Sequence, residues 1–154
     1  MAHVKTQVRN AVIAQLRAEF GADFVVPAIR LARGLQSHNL PLVAVTVSAT
    51  KTGTDNNGPG ERIDRYDFTI GVRACVSADG ADPESDLETI DARIQKTLFD
   101  PSVLGIGGTI NWRCGGQGDI DAQDIEDGFM LAATTTYTTG MLTMDSDPET
   151  NIHA

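Results

Sequence analysis

From Tyr66 to Val76 the chain alternates apolar and polar or small residues without a break. Tyr66, Phe68, Ile70, Val72, Ala74 and Val76 fall on one side of an extended segment, and Arg65, Asp67, Thr69, Gly71, Arg73 and Cys75 on the other. A period of two sends successive side chains to opposite faces of a sheet. One face of this strand therefore needs a covering layer, whereas the other can meet water, which is the pattern of an antiparallel sheet packed on one side. A second alternation follows Pro41, where Val43, Val45 and Val47 are separated by smaller or polar residues. The two segments are expected to pair as an antiparallel hairpin. The stretch between them, Lys51–Arg62, is rich in Gly, Asp, Asn and Thr and contains Pro59, which favours an exposed, mobile loop.

The covering layer is legible as two amphipathic helices. Val4, Val8, Val12 and Leu16 recur every four residues, with Ile13 and Phe20 beside them, and Gly21 stands where a helix would stop. This predicts a helix over residues 3–20. Asp82-Pro83-Glu84 supplies a capping carboxylate and a proline suited to the first helical position. Leu87, Ile90, Ile94 and Leu98 then mark its apolar stripe, and the acidic residues precede Arg93 and Lys96 in the order that complements the helix dipole.

Shorter strands are expected at Phe24–Val26, placed at a sheet edge by Pro27, and at Thr109–Arg113. Residues 28–39 settle on neither period. Asp119–Asp127 reads as an acidic connection leading to a threonine-rich strand with Phe129, Leu131, Ala133, Thr135 and Tyr137 on one face. The expected fold is α/β of the α+β type, a mostly antiparallel sheet with two main helices packed beside it. It occupies residues 1–142 as one domain, and 143–154 form a flexible C-terminal tail.

At 154 residues a single domain buries enough surface to be stable without staples. No apolar run approaches the ~18 residues of a membrane-spanning helix, and the start lacks the features of a signal peptide. The expectation is a protein made in a cytoplasm with no membrane partner, and Cys75 and Cys114 as reduced thiols, Cys75 inside a strand and Cys114 more exposed. The net charge is −9, but it is unevenly divided. Residues 1–78 hold nine Lys and Arg against six Asp and Glu, whereas 79–154 hold three against fifteen. Such a chain lacks the clustered basic composition of a nucleic-acid reader. It suits a subunit whose basic face meets the acidic face of a neighbour; a solvated acidic surface is the plainer alternative.

Motifs that select a reaction are missing. His3, His38 and His153 have no ligand partners at zinc-binding spacing. Asp119 and Asp121 fit the first positions of a calcium loop, but Asp124 occupies the glycine position and Met130 that of the bidentate glutamate. Gly105, Gly107 and Gly108 lack the rest of a dinucleotide fingerprint, and there is neither a phosphate loop nor a nucleophile elbow. The expectation is a protein that is not an enzyme and has no cofactor or metal.

The order of helix, strand, loop, long strand, acidic-start helix and threonine-rich strand resembles the minor tail protein U family of long-tailed phages. The resemblance runs over residues 3–141. It is carried by His3-Val4-Lys5-Thr6-Gln7-Val8-Arg9, Leu40-Pro41-Leu42-Val43-Ala44-Val45, Pro83-Glu84-Ser85-Asp86-Leu87-Glu88, and Asp127-Gly128-Phe129 leading into Thr134–Thr139. It implies a tail terminator: a homo-hexameric ring, without an active site, that caps the tail tube and presents a surface to the head. The implied partners are the tail-tube protein, a head-completion protein, and DNA passing through the lumen; the implied location is the virion tail, after assembly in the host cytoplasm. A head–tail connector or tail-tube subunit is the near alternative, and a small hydrolase or ligand-binding domain the distant one.

Three sets of residues carry the expected assembly. Arg62, Arg65 and Arg73 are candidates to face Asp82, Glu84 and Asp86 across a subunit boundary, since a ring is built by joining two different patches. Lys51, Asp55, Asn56, Asn57 and Glu61 are candidates for contact with tube or head. Asp119, Asp121, Asp124, Glu126 and Asp127 are candidates to line the lumen, where negative charge would keep DNA from sticking.

Overall fold

The computed structural model describes residues 3–27, 35–56, 62–104 and 110–144. The elements run α1 (Val4–Phe20), β1 (Val25–Pro27), β2 (Leu42–Asn56), β3 (Arg62–Ser77), α2 (Pro83–Thr97), β4 (Ile110–Gln117), β5 (Asp121–Ile125) and β6 (Gly128–Met144), with short 3-10 turns at Ser37–Asn39 and Pro101–Leu104. This is the expected α+β architecture, two helices against a mostly antiparallel sheet.

The strand order is β1-β2-β3-β6-β4, and β5 also pairs with β6. Among the described residues only the β1–β2 pairing is parallel. The β2–β3 pairing brings Val43 opposite Ala74, Val45 opposite Val72 and Val47 opposite Ile70. The β3–β6 pairing brings Ala74 opposite Ala133 and Ile70 opposite Tyr137. The alternation read from the sequence therefore lines up across three strands as one apolar face. Val4, Val8, Val12, Ile13 and Leu16 of α1, and Leu87, Ile90 and Ile94 of α2, close over it as a continuous core. Helix α1 lies chiefly over β1 and β2, and α2 over β3 and β6.

Burial of each such Leu or Ile contributes roughly 1.5–3 kcal/mol. The exposed Arg93–Glu19 pair between the two helices, at 3.1 Å, belongs to a class contributing about 0.2–1 kcal/mol. Apolar burial thus fixes where the helices sit, and the ion pair only trims their relative position. Helix starts follow their local signals: the Asp82 side chain accepts from Ser85 N at 3.2 Å, and His3 Nδ1 accepts from Lys5 N at 3.1 Å.

Three expectations need correction. Within the stretch expected as a loop, Lys51–Arg62, the described residues are strand, since Lys51, Asp55 and Asn56 lie in β2 and Arg62 in β3. The register slips between Lys51 and Gly53, so Gly53 is accommodated at a bulge rather than by ending the strand. Asn57 and Glu61 lie outside the described residues. The acidic connection contains β5, which pairs Asp121–Ile125 with Gly128–Ala132 through a Glu126-Asp127 turn; backbone pairing to a long neighbour outweighs the low strand propensity of Asp. The tail boundary also moves, since β6 continues through Thr143 and Met144, opposite Asp64 and Ile63. Residues 145–154 lie outside the described residues.

Candidate assembly surfaces

The sheet has two unlike faces. Opposite the helices, Leu35, Leu42, Ala44, Cys75, Met130 and Ala132 form a small second core at one end. Towards the other end that face is open: Thr46, Ser48, Thr50, Arg65, Asp67, Thr69 and Thr138 are exposed. Gly71 keeps the middle of the face low, since a Cβ there would stand 2.7 Å from Thr46 Oγ1. Beside it Arg65, Asp67, Thr69, Asn111, Arg113 and Thr138 surround a shallow depression of about 390 Å³. Asn111 takes a left-handed conformation, φ 53°, within the irregular pairing of β4 to β6 between Ile110 and Arg113.

The arginines expected at an interface divide as follows. Arg65 and Arg73 share the open face, as their β3 parity requires. Arg62 is in β3. Arg73 is half-buried, with Nη1 3.9 Å from Asp121 Oδ2 and Nη2 buried without a hydrogen-bond partner among the described residues. One arginine of the basic set thus leans towards the acidic segment of its own chain, at a distance too long for a strong pair. Arg113 joins the basic set from β4. Sequence reasoning missed it because the strand was expected to end there, and the bulged register of β4 hides which face its residues take.

The acidic residues expected to face these arginines lie across the sheet. Asp82, Glu84 and Asp86 are exposed around the first turn of α2, in the helix layer. Asp82 is occupied in capping its helix. Glu88 extends the acidic surface one turn further, four residues after Glu84, and is also exposed. Within one molecule the open-face arginines and the α2 carboxylates therefore sit on opposite layers.

Of the residues expected near a lumen, Asp119, Asp121, Asp124, Glu126 and Asp127 are all exposed along one edge of the sheet. Glu126 accepts a hydrogen bond from Gln36 Nε2 at 2.8 Å, and its backbone N–H donates to Leu35 O at 2.9 Å. This ties the turn before β6 to the segment that covers the second core.

Among the described residues, both sheet edges are unsuited to strand addition. Edge strand β1 is three residues long and ends in Pro27. At the other edge β4 contains two register shifts and Gly116 at φ 80°, and β5 carries Asp121 and Asp124. Short length, proline, bulges and charge are the features that keep edges from pairing with another chain.

Between α2 and β6 lies a part-buried polar cluster. Thr135 Oγ1 donates to Asp91 Oδ1, and Gln95 Nε2 donates to Asp91 Oδ2 at 2.7 Å. Tyr137, 1% exposed, has its hydroxyl buried beside the Cys114 thiol, a weak sulfur neighbour that does not meet hydrogen-bond geometry, and no other described group partners it. Burial pushes its pKa well above the usual tyrosine range, and the neighbouring Cys114 thiol and Asp91 carboxylate act in the same direction. Trp112 stacks at a tilt on Tyr137, centroids 5.3 Å apart, and its Nε1 donates to Leu98 O at 3.0 Å, so the indole packs rather than presenting itself to a ligand. Cys75 is buried and Cys114 exposed, and burial raises the Cys75 thiol pKa against the lowering pull of Arg73.

Among the described residues no group of three or more His, Cys, Asp or Glu is placed to hold a metal ion, and no helix is long and apolar enough to cross a membrane. No family model and no curated protein matches the sequence.

Proposed function

We propose that this chain is a structural subunit of a long-tailed phage, the tail terminator, which forms a homo-hexameric ring on the last tube ring, stops polymerisation and offers a surface to the head. The observation that carries the reading is the pair of oppositely charged surfaces on opposite layers of one sheet. A closed ring requires a heterologous interface, in which one patch of each subunit meets a different patch of the next. Two patches facing away from each other cannot satisfy themselves within a chain, so they favour association with copies. The resemblance to the minor tail protein U family supplies the assignment to tails.

In this reading the chain performs no reaction and uses no cofactor. The end of the β2–β3 hairpin, including Lys51, Asp55 and Asn56, contacts tube or head. The acidic edge from Asp119 to Asp127 faces the lumen and repels passing DNA. The assembly takes place in the host cytoplasm and the product resides in the virion tail.

Electron microscopy of the purified protein, alone and added to polymerising tail-tube protein, tests this. Single rings and a fixed tube length are expected. Self-stacked long tubes would instead make the chain a tube subunit, and tubes of unchanged length distribution would remove the terminator role.

A further inference from the structure

We infer that the depression on the open sheet face is a carboxylate-accepting socket for helix α2 of a second copy, with Arg65 and Arg113 receiving Glu84 and Glu88. This names the contacting surfaces of the proposed ring and rests on that reading.

Four observations converge on it. Arg65 and Arg113 project from β3 and β4 around one depression and are exposed, and neither has an ion pair or side-chain hydrogen bond among the described residues. Glu84 and Glu88 are likewise exposed and without such partners among the described residues. Their spacing of four places them on one stripe of α2, about 5–6 Å apart at Cβ, so one helix can present both carboxylates to two guanidinium groups. Each guanidinium can take a carboxylate through two parallel N–H donors, and the floor hydroxyls of Thr69 and Thr138 are placed to supply further donors.

The remaining geometry selects a second copy. The socket and the acidic stripe lie on opposite layers, so each copy has one socket and one stripe free, and successive contacts propagate in one direction. The blunted β1 and β4–β5 edges turn association away from strand pairing and towards contact between faces. A nucleic-acid backbone fits the socket poorly: Asp67 lies within it, Asp121 stands on the same face beside Arg73, and the chain as a whole carries −9. Discrete helical carboxylates can meet the arginines while avoiding these charges, which a continuous polyphosphate cannot.

The test compares the full chain with R65E/R113E, with the milder E84Q/E88Q, and with a chain carrying R65E/R113E together with E84R/E88R. Sedimentation velocity and native mass measurement follow assembly at low and high salt, with circular dichroism and a thermal melt establishing that each variant is folded. The wild-type chain is expected to assemble, less so at high salt. Either double substitution should lower the association constant by about tenfold or more, and the four-fold swap should recover most of that loss. Folded R65E/R113E and E84Q/E88Q proteins that assemble like wild type would overturn the socket while leaving the ring reading standing. A wild-type chain that stays monomeric at all concentrations and salts, with and without tail-tube protein, would overturn both. Loss of duplex DNA binding in R65E/R113E with assembly intact would assign the surface to nucleic acid and overturn the inference.

Discussion

Replacing Tyr137 by Phe is expected to stabilise this protein. The hydroxyl is buried in a side chain 1% exposed, with only the weakly hydrogen-bonding Cys114 thiol beside it and no group in hydrogen-bond geometry among the described residues. A buried polar group left unsatisfied costs about 1–3 kcal/mol relative to one solvated by water. Removing the oxygen leaves a void of roughly 10–15 Å³, which at about 24 cal/mol per Å³ costs ~0.3 kcal/mol. The ring keeps its place under Trp112 and within the main core, so no packing is lost. The net expectation is a gain of about 1–2 kcal/mol at neutral pH. For a domain of this size that raises the melting temperature by roughly 2–8 °C.

Urea denaturation followed by circular dichroism measures the gain as a rise in midpoint at unchanged slope. The pH dependence gives a second readout. Folding raises the Tyr137 pKa, so above about pH 10 the unfolded chain releases this proton before the folded chain does. The associated stability is fully present below that pH and is lost as pH rises towards the folded pKa. Phe cannot ionise, so the advantage of the variant should widen above pH 10. A Tyr137→Phe protein that is less stable than wild type by about 1 kcal/mol or more would refute the reasoning, because the hydroxyl would then be making a net favourable bond, with the Cys114 thiol as the nearest candidate.

Three further outcomes are expected. Leu87→Ala, which empties a fully buried position between α2 and the sheet, should cost about 2–5 kcal/mol in chemical denaturation; a loss below 1 kcal/mol would mean that α2 is not held by this stripe. Arg93→Ala removes the Glu19 contacts at 3.1 Å and the stacking of its guanidinium over Phe20 at 4.2 Å. Since both ionic partners are half-exposed, the expected loss is about 1 kcal/mol, checked by the shift in thermal midpoint, and a loss above 3 kcal/mol would contradict it. A thiol reagent should modify exposed Cys114 promptly and buried Cys75 only on unfolding, and mass spectrometry of the native protein showing both sites modified at equal rates would refute the placement of Cys75.

Part of the candidate interface was legible before any fold was known. The parity of β3 already put Arg65 and Arg73 opposite the apolar face, and Asp82-Pro83-Glu84 already marked the start of an acidic helix. What escaped was the company these residues keep. Arg113 joins Arg65 only because β4 pairs with β6 through an irregular register, and no period in the sequence records a bulge. The Lys51–Asn56 segment carries the composition of a loop, yet pairing with a strand that is itself paired on its far side holds it extended.

The sequence by itself determined the two amphipathic helices, the alternation that gives the sheet one apolar face, the α2 cap and the division of charge along the chain. These are properties of local period and composition, readable wherever a side chain's neighbours lie within a few residues. Only the tertiary structure decided that β6 sits between β3 and the β4–β5 edge, that Asp119–Asp127 contains a strand, and that the basic and acidic surfaces face away from each other. Those depend on contacts between segments distant in the chain, where long-range pairing and burial outweigh the preference of any single stretch.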